Sequence, residues 1–172
     1  VLCGLGKLLR LIAIDDPELR CPVAAKREHP IGKERGVYFA THFNNWYESA
    51  PLEDIEAYIE DLALWGVNTL CTWFDMNWYP PDFWQHPESR GMKMIRKLKA
   101  INAVARSLGI TVGVVGLANE GFKNQPPPEL RADMSVRRGG YYPFSHICPS
   151  KPGGLEMILE NRRRVLELVG PI

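Results

Sequence analysis

Acidic residues follow two of the three short apolar runs in this sequence, in positions where they could act on a glycosidic bond. Asp75 comes directly after the second run, and Glu120 comes shortly after the third. Glycoside hydrolysis usually requires two carboxyl groups about 5 to 10 Å apart. Asp75 and Glu120 are therefore the candidates for a direct catalytic role. The structural alternative is that Asp75 caps a loop and that Glu120 pairs with an arginine such as Arg131 or Arg137.

The same segments carry amides and aromatic rings that suit a sugar. Carboxylates and amides can hydrogen-bond several hydroxyls at once, and the face of a Trp ring stacks on the C–H side of a pyranose. The residues expected to bind substrate on these grounds are His42, Asn45, Asp75, Trp78, Asn119 and Glu120. No histidine has a partner at metal-ligand spacing, and the Gly4-Leu5-Gly6 sequence follows no strand, so neither a metal nor a cofactor is expected.

Three strand–helix units would position these side chains. Short apolar runs predict strands over 36–40, 67–74 and 110–117. Stripes of apolar residues predict helices over 52–65, 92–108 and 155–169. Gly66 and Gly109 are expected to end the first two helices in a left-handed conformation. Because apolar strands alternate with helices, the sequence predicts an α/β fold with a parallel sheet.

Loop lengths favour a (β/α)8 TIM barrel over a doubly wound sheet. Each loop that follows a strand is long, the third covering 118–154, whereas a single glycine joins each helix to the next strand. Barrel enzymes carry their active sites on the loops at the carboxyl ends of the strands. Such a barrel needs roughly 250 residues, so this chain would supply its first three βα units. A complete doubly wound α/β protein that binds a small molecule is the alternative.

The segment before the first strand differs in character. An apolar stripe predicts a short helix within residues 1–14, and the polar, proline-containing residues 15–34 are typical of a linker. We expect the end of an upstream domain plus a linker over 1–30, and the N-terminal part of a barrel catalytic domain over 31–172. The chain starts and stops within patterned sequence, which indicates a piece of a longer protein.

Composition and charge indicate which classes of partner the protein could bind. Lys and Arg number 21 against 20 Asp and Glu, so the net charge of +1 offers no field that would attract nucleic acid or an anionic membrane. No run reaches the roughly 18 apolar residues of a membrane span. The four cysteines form no Cys-x-x-Cys pair, which indicates reduced thiols and favours a cytoplasmic location. The expected partner is a carbohydrate substrate, with no nucleic acid and no membrane.

Three segments carry a resemblance to a known family. They are Arg35-Gly36-Val37-Tyr38-Phe39, the helix-to-strand junction Leu-Ala-Leu-Trp-Gly-Val-Asn over 62–68, and Ile147-Cys148-Pro149-Ser150-Lys151-Pro152. In order and spacing they resemble the β-N-acetylhexosaminidases, the family 20 glycoside hydrolases, over about residues 31–169. The resemblance implies a TIM barrel preceded by a small α/β domain, to which the opening helix would belong. It also adds Arg35 to the expected sugar-binding residues and carries Asp75 over to the family's second strand.

The resemblance also places part of the chemistry elsewhere. In the family an Asp-Glu pair ends strand four, and its Glu protonates the leaving oxygen while the substrate's own acetamide attacks the anomeric carbon. Strand four would begin after Ile172, so the resemblance implies that the acid lies outside this chain and that the chain alone is inactive. Its open strand edges would then be covered by the missing barrel half or by self-association.

The substrate class implied is an N-acetylhexosaminide. The family has an Arg-His pair after its first strand where this chain has Thr41-His42. Another pyranoside, such as a glucuronide split by an α-glucuronidase-like hydrolase, is therefore an alternative. A non-catalytic carbohydrate-binding or scaffolding domain is a further alternative.

Overall fold

The chain opens with a helix and a small hairpin in the computed structural model, which describes residues 1–15, 17–21, 27–41, 43–133 and 146–172. Helix α1 covers Leu2–Leu11, and strand β1 (Ala13–Asp15) pairs antiparallel with β2 (Glu18–Arg20). All residues of both strands are exposed. Helix α1 confirms the helix predicted within 1–14. The hairpin was not expected from the sequence.

A three-stranded parallel sheet forms the centre of the fold. Its strands are β3 (Gly36–Phe39), β4 (Thr69–Trp73) and β5 (Thr111–Val115), in the spatial order β3-β4-β5. The helices are a short α2 (Trp46–Ser49), then α3 (Leu52–Leu64), α4 (Arg90–Ser107) and α5 (Gly154–Val169). The prediction of an α/β fold with a parallel sheet is confirmed.

Helices α3 and α4 pack on one face of this sheet. Phe39, Leu70 and Val112 point from the three strands into a core shared with Ile59 of α3 and Ile101 of α4. A second core cluster lies towards the carboxyl ends of the strands. Its largest members are Phe74, Phe83, Leu98, Phe122 and Val165. The buried face accounts for the helical stripes, because each apolar side chain in a stripe covers the same side of the sheet.

The opposite face of the sheet is less covered. Tyr38 is 44% exposed and Val115 is 37% exposed, and Cys71 and Trp73 are half-buried. The strand register sets this alternation, since Tyr38 pairs with Cys71 while Phe39 pairs with Thr72. One parallel sheet thus has a buried face towards the helices and a partly open face on the other side.

Glycines set the close contacts and the helix ends. Gly66 and Gly109 adopt φ of +89° and +77° just after the C-cap residues of α3 and α4, Trp65 and Leu108, which confirms their predicted role. Gly6 lets α1 approach α3 so closely that an added Cβ would lie 1.9 Å from the carbonyl oxygen of Leu64. Beside this contact, the Arg10 guanidinium lies 4.2 Å from the centre of the Trp65 ring. None of the described helices is both long and apolar enough to cross a membrane.

Candidate functional site

The carboxyl ends of β4 and β5 bring the two predicted acidic residues together. Trp73 and Val115, the last residues of the two strands, are partners in the parallel register, so the loops that follow start side by side. Asp75 precedes a 3-10 turn over Met76–Trp78, and its side chain accepts a hydrogen bond from the backbone N–H of Asn77. Glu120 lies in the loop after β5 and is fully buried, and Asp75 is 4% exposed.

Asn77 joins the two carboxyl groups. Its side-chain Nδ2 donates to Asp75 Oδ1 at 3.1 Å and to Glu120 Oε1 at 2.8 Å. Its backbone N–H donates to the same two oxygens, at 3.1 and 3.2 Å. Glu120 Oε2 accepts a further bond from the backbone N–H of Leu117 at 3.3 Å. The loops after β4 and β5 are therefore connected by one buried polar cluster, formed by Asp75, Asn77 and Glu120.

Burial raises the pKa of Glu120 and of two tyrosines, Tyr38 and Tyr79. The pKa of Glu120 is raised from 4.5 to about 9, first by burial and then by the hydrogen bond to Asp75 and by its charge. Burial raises the pKa of Tyr38 to about 12, and the Asp75 charge adds to the rise. Tyr79 also reaches a pKa of about 12, mainly by burial. At neutral pH the Glu120 carboxyl is therefore protonated and can donate a hydrogen bond.

The geometry of the cluster favours positioning over bond cleavage. Carboxyl groups that cleave a glycosidic bond lie on either side of it and need about 5 Å or more between them. Asp75 and Glu120 are instead hydrogen-bonded to each other and share the two Asn77 donors. Both carboxyl groups are also shielded from solvent, since Asp75 is 4% exposed and Glu120 is 0% exposed. Since Asp75 also caps the turn that carries Trp78, the cluster fixes where that ring lies.

Above the cluster, exposed aromatic rings lie beside a network of polar side chains. Trp78 and Phe43 are 42% and 58% exposed, and their ring centres are 6.2 Å apart in an edge-to-face arrangement. The Arg90 guanidinium lies 5.7 Å from the centre of the Trp78 ring. Arg90 forms an ion pair with Glu48 and donates to Asn44 Oδ1 at 3.3 Å. We call these five residues the rim cluster.

Glu48 holds the rim cluster in place. One of its carboxylate oxygens accepts from the backbone N–H of Asn44 at 2.6 Å, and the other pairs with Arg90. Only 9% of the Glu48 side chain is exposed. Phe43 and Asn44 have positive φ angles of 60° and 55°, a conformation that non-glycine residues rarely adopt. The Glu48 contact therefore supports two successive residues in a strained backbone conformation.

The other residues predicted to bind sugar lie in different environments. Asn45 caps α2, since its side chain accepts from the Glu48 N–H at 3.3 Å and donates to the Ala40 carbonyl. Asn119 is half-buried, and its backbone carbonyl accepts from the Ile147 N–H at 2.9 Å. His42 and Arg137 lie outside the described residues. Arg131, the other suggested partner of Glu120, donates to the Pro126 carbonyl at 3.1 Å.

Arg35 is not brought to this end of the sheet. It precedes β3, at the amino-terminal end of the parallel strands, whereas Asp75 and Glu120 follow the carboxyl ends. Its Nε donates to the Gly66 carbonyl at 2.6 Å, and its backbone N–H donates to Asn68 Oδ1 at 2.8 Å. These bonds stabilise the junction between α3 and β4. The motif around Arg35 thus has a local structural role at the opposite end of the sheet from the candidate site.

The sequence interpretation did not assign a role to Asn77, Glu48 or Arg90. No sequence pattern indicated a role for Asn77, because its partner Glu120 lies 43 positions away in the chain. Glu48 and Arg90 are 42 positions apart and belong to different helices. A signal existed for Glu48 alone, since an acid three residues after Asn45 is the spacing of a helix-capping motif.

An open concavity lies next to the cluster, between the edge strand β5 and helix α5. It encloses about 430 Å³ including its open side. The lining is mostly apolar and consists of Phe74, Met76, Val114, Val115, Gly116, Arg162, Val165 and Leu166. Among the described residues no group of three His, Cys, Asp or Glu side chains is arranged to hold a metal ion.

A parallel sheet covered by helices on one face, with a polar cluster at the carboxyl ends of its strands, defines an α/β protein. Among solved structures, the fold is similar to that of a GH20 exo-β-N-acetylglucosaminidase from Vibrio harveyi, determined in complex with N-acetylglucosamine. The TM-score is 0.57 at 16% sequence identity, and the match covers 96% of this chain and 31% of that enzyme. The chain therefore spans about a third of the length of that enzyme, and at this identity the likeness concerns the fold.

Neither the family models nor the curated proteins provide a match to the sequence.

Proposed function

We propose that the chain is part of the catalytic domain of a glycoside hydrolase that cleaves O-glycosidic bonds, with N-acetylhexosaminides as the substrate class. The observation that carries the proposal is the fold likeness to the β-N-acetylglucosaminidase over 96% of this chain. The position of the Asp75, Asn77 and Glu120 cluster at the carboxyl ends of parallel strands adds support, since barrel enzymes place their active sites there.

In this proposal residues 31–172 form the first three βα units of a (β/α)8 barrel, and residues 1–30 are the end of an upstream domain with its linker. The partly open sheet face would be the barrel interior. Asp75, Trp78, Asn119 and Glu120 would border the substrate site, and the acid that protonates the leaving oxygen would lie on a later strand. Glu120 and Asp75 would act by holding the loops rather than by touching the reacting bond.

Turnover of a chromogenic glycoside tests this proposal. We expect the 172-residue chain to leave p-nitrophenyl-β-N-acetylglucosaminide intact, and a chain extended beyond Ile172 through the remaining barrel strands to hydrolyse it. Turnover by the 172-residue chain would show that the acid lies within it. An extended chain that cleaves the α-glucuronide and leaves the N-acetylglucosaminide intact would move the substrate class to uronides.

A non-catalytic carbohydrate-binding domain is the second candidate, favoured by one observation. Asp75 and Glu120 are almost fully shielded from solvent, at 4% and 0% exposure, and are bonded to each other. A site that retains its loops without free carboxyl groups suits binding better than cleavage. A chain extended beyond Ile172 separates the two candidates, because an Asp-Glu pair at the end of its next strand would support the enzyme and the lack of one would support the binding domain.

A further inference from the structure

The rim cluster has the composition of a binding subsite that lies apart from the buried carboxyl groups. It combines two exposed rings, Phe43 and Trp78, with an amide and a guanidinium on the same side. We propose that the rim cluster is a stacking subsite for a neutral pyranose ring. The inference rests on the proposed carbohydrate function and names the position of a subsite that this function leaves open.

The aromatic part of the cluster supplies apolar faces of the correct size. Trp78 and Phe43 stand at 77° to each other with ring centres 6.2 Å apart. Rings at this angle form a corner, so a pyranose can lie on one ring while the other covers its edge. Aromatic side chains combine large contact area with few rotatable bonds, which makes them effective anchors for ligands that are partly apolar.

The polar part of the cluster supplies hydrogen bonds without net charge. In the described part of the chain, the bonds from Arg90 to Asn44 and Glu48 both leave from Nη2. Donors therefore remain on its other nitrogens, since a guanidinium carries five N–H groups. Glu48 offsets the positive charge of Arg90 through their ion pair. A neutral hydroxyl-bearing sugar fits this balance better than a uronate, which needs an uncompensated cation.

Two successive residues of the rim cluster have an uncommon backbone conformation. Phe43 and Asn44 keep positive φ angles of 60° and 55° at exposed positions. Strained residues that the surrounding structure holds in place are typical of ligand sites. Here Glu48 provides the restraint through its bond to the Asn44 N–H at 2.6 Å.

Isothermal titration calorimetry with the 172-residue chain tests the subsite. The probes are tri-N-acetylchitotriose, which is neutral, and trigalacturonate, which has the same number of rings and is anionic. We expect chitotriose to bind more tightly, and Trp78→Ala and Phe43→Ala each to weaken it by roughly fivefold or more. Trp65→Ala is the matched control, because Trp65 is also an exposed tryptophan, 67% exposed, but lies at the other end of the sheet. It should leave the affinity unchanged.

Further variants and the two probes distinguish an error in the subsite from an error in the proposed function. Trp78→Phe keeps a ring and should retain affinity within about twofold, and Phe43→Ala carries the test if Trp78→Ala melts early in circular dichroism. Wild-type affinity in both alanine variants would overturn the subsite but leave sugar binding, and with it the proposed function, intact. Equal or tighter binding of trigalacturonate would overturn the neutral class. If wild type binds neither probe, the subsite is wrong, whereas the glycosidase proposal is decided separately by turnover in the extended chain.

Discussion

Glu120 shows how strongly the fold changes the chemistry of one side chain. Its pKa is about 9 in the folded chain against 4.5 for the free group. Between these values the folded state binds more protons than the unfolded state, so the free energy of unfolding falls as the pH rises. The contribution is fully present below about pH 4.5 and is lost progressively towards pH 9.

Glu120→Gln should remove this pH dependence, because the amide stays neutral while it keeps the shape of the protonated acid. The wild-type free energy of unfolding should fall by at most about 1.4 kcal/mol per pH unit across this window, and the variant should be the more stable protein at pH 8. Urea unfolding followed by circular dichroism between pH 4 and 9 measures both. Glu129→Gln, which alters an exposed residue of the same loop, should keep the wild-type slope. If the free energy of unfolding of Glu120→Gln depended on pH as it does in the wild type, the raised pKa of Glu120 would not be the cause.

Asn77 is the residue on which both carboxyl groups depend. Asn77→Ala removes the side-chain donor that bonds Asp75 and Glu120 and leaves buried acceptors without it. We expect a loss of about 1 to 3 kcal/mol in the free energy of unfolding. The half-buried Asn119 is the control, and Asn119→Ala should cost less than about 0.5 kcal/mol. Chemical denaturation at pH 6 measures the free energy of unfolding of both variants. Equal losses would show that the Asn77 hydrogen bonds to Asp75 and Glu120 do not stabilise the fold more than an ordinary half-buried amide does.

At this scale the sequence predicted that Asp75 and Glu120 lie at one edge of the sheet but not how they are bonded. Asp75 and Glu120 could be found because each follows a strand, and parallel strands end at one edge. Asn77 and Arg90 could not be assigned, because their partners lie 43 and 42 positions away in the chain. Arg35 shows the reverse case, since a motif resemblance suggested sugar binding whereas its side chain bonds to the Gly66 carbonyl.

Among the elements, the three βα units were predictable and the surroundings of α1 were not. Apolar runs and stripes fixed β3 to β5 and α3 to α5 to within a few residues, since each buries a face. The hairpin of β1 and β2 was missed because its strands have three residues each and bury none of them. The exposed Trp65 next to Arg10 likewise depends on a contact between distant segments.

The contact between α1 and α3 yields a prediction with an internal control. Gly6→Ala places a Cβ 1.9 Å from the Leu64 carbonyl oxygen, so α1 must move away from α3. We expect a cost of about 1 to 3 kcal/mol. Gly4 lies in the same helix and has open space around it. Because alanine has the better helix propensity, Gly4→Ala should stabilise the protein by up to about 1 kcal/mol. The melting temperature should fall in Gly6→Ala and rise in Gly4→Ala. A higher melting temperature in Gly6→Ala would show that α1 does not pack against α3.

For the whole molecule, the uneven cover of the sheet is the feature that connects fold and function. Parallel sheets are normally buried on both faces, yet Tyr38 and Val115 are 44% and 37% exposed on one face here. The concavity beside β5 extends this apolar surface to Leu166 of α5, which is itself 41% exposed. An open strand edge next to such a surface promotes pairing with further chain. The proposed barrel accounts for all three observations, because its later strands would lie on this side.

The 172-residue chain should therefore associate in a concentration-dependent way and bind the dye ANS, which reports exposed apolar surface. Val115→Lys places a charge on the open face beside β5 and should lower the weight-average mass in sedimentation equilibrium. Ile14→Lys is the matched control, since Ile14 is 79% exposed in the hairpin away from the sheet, and it should leave the mass unchanged. A chain extended beyond Ile172 should be monomeric and bind little ANS. If the 172-residue chain is instead a monomer that unfolds cooperatively and binds no dye, its open face needs no cover, and a complete doubly wound α/β protein replaces the barrel.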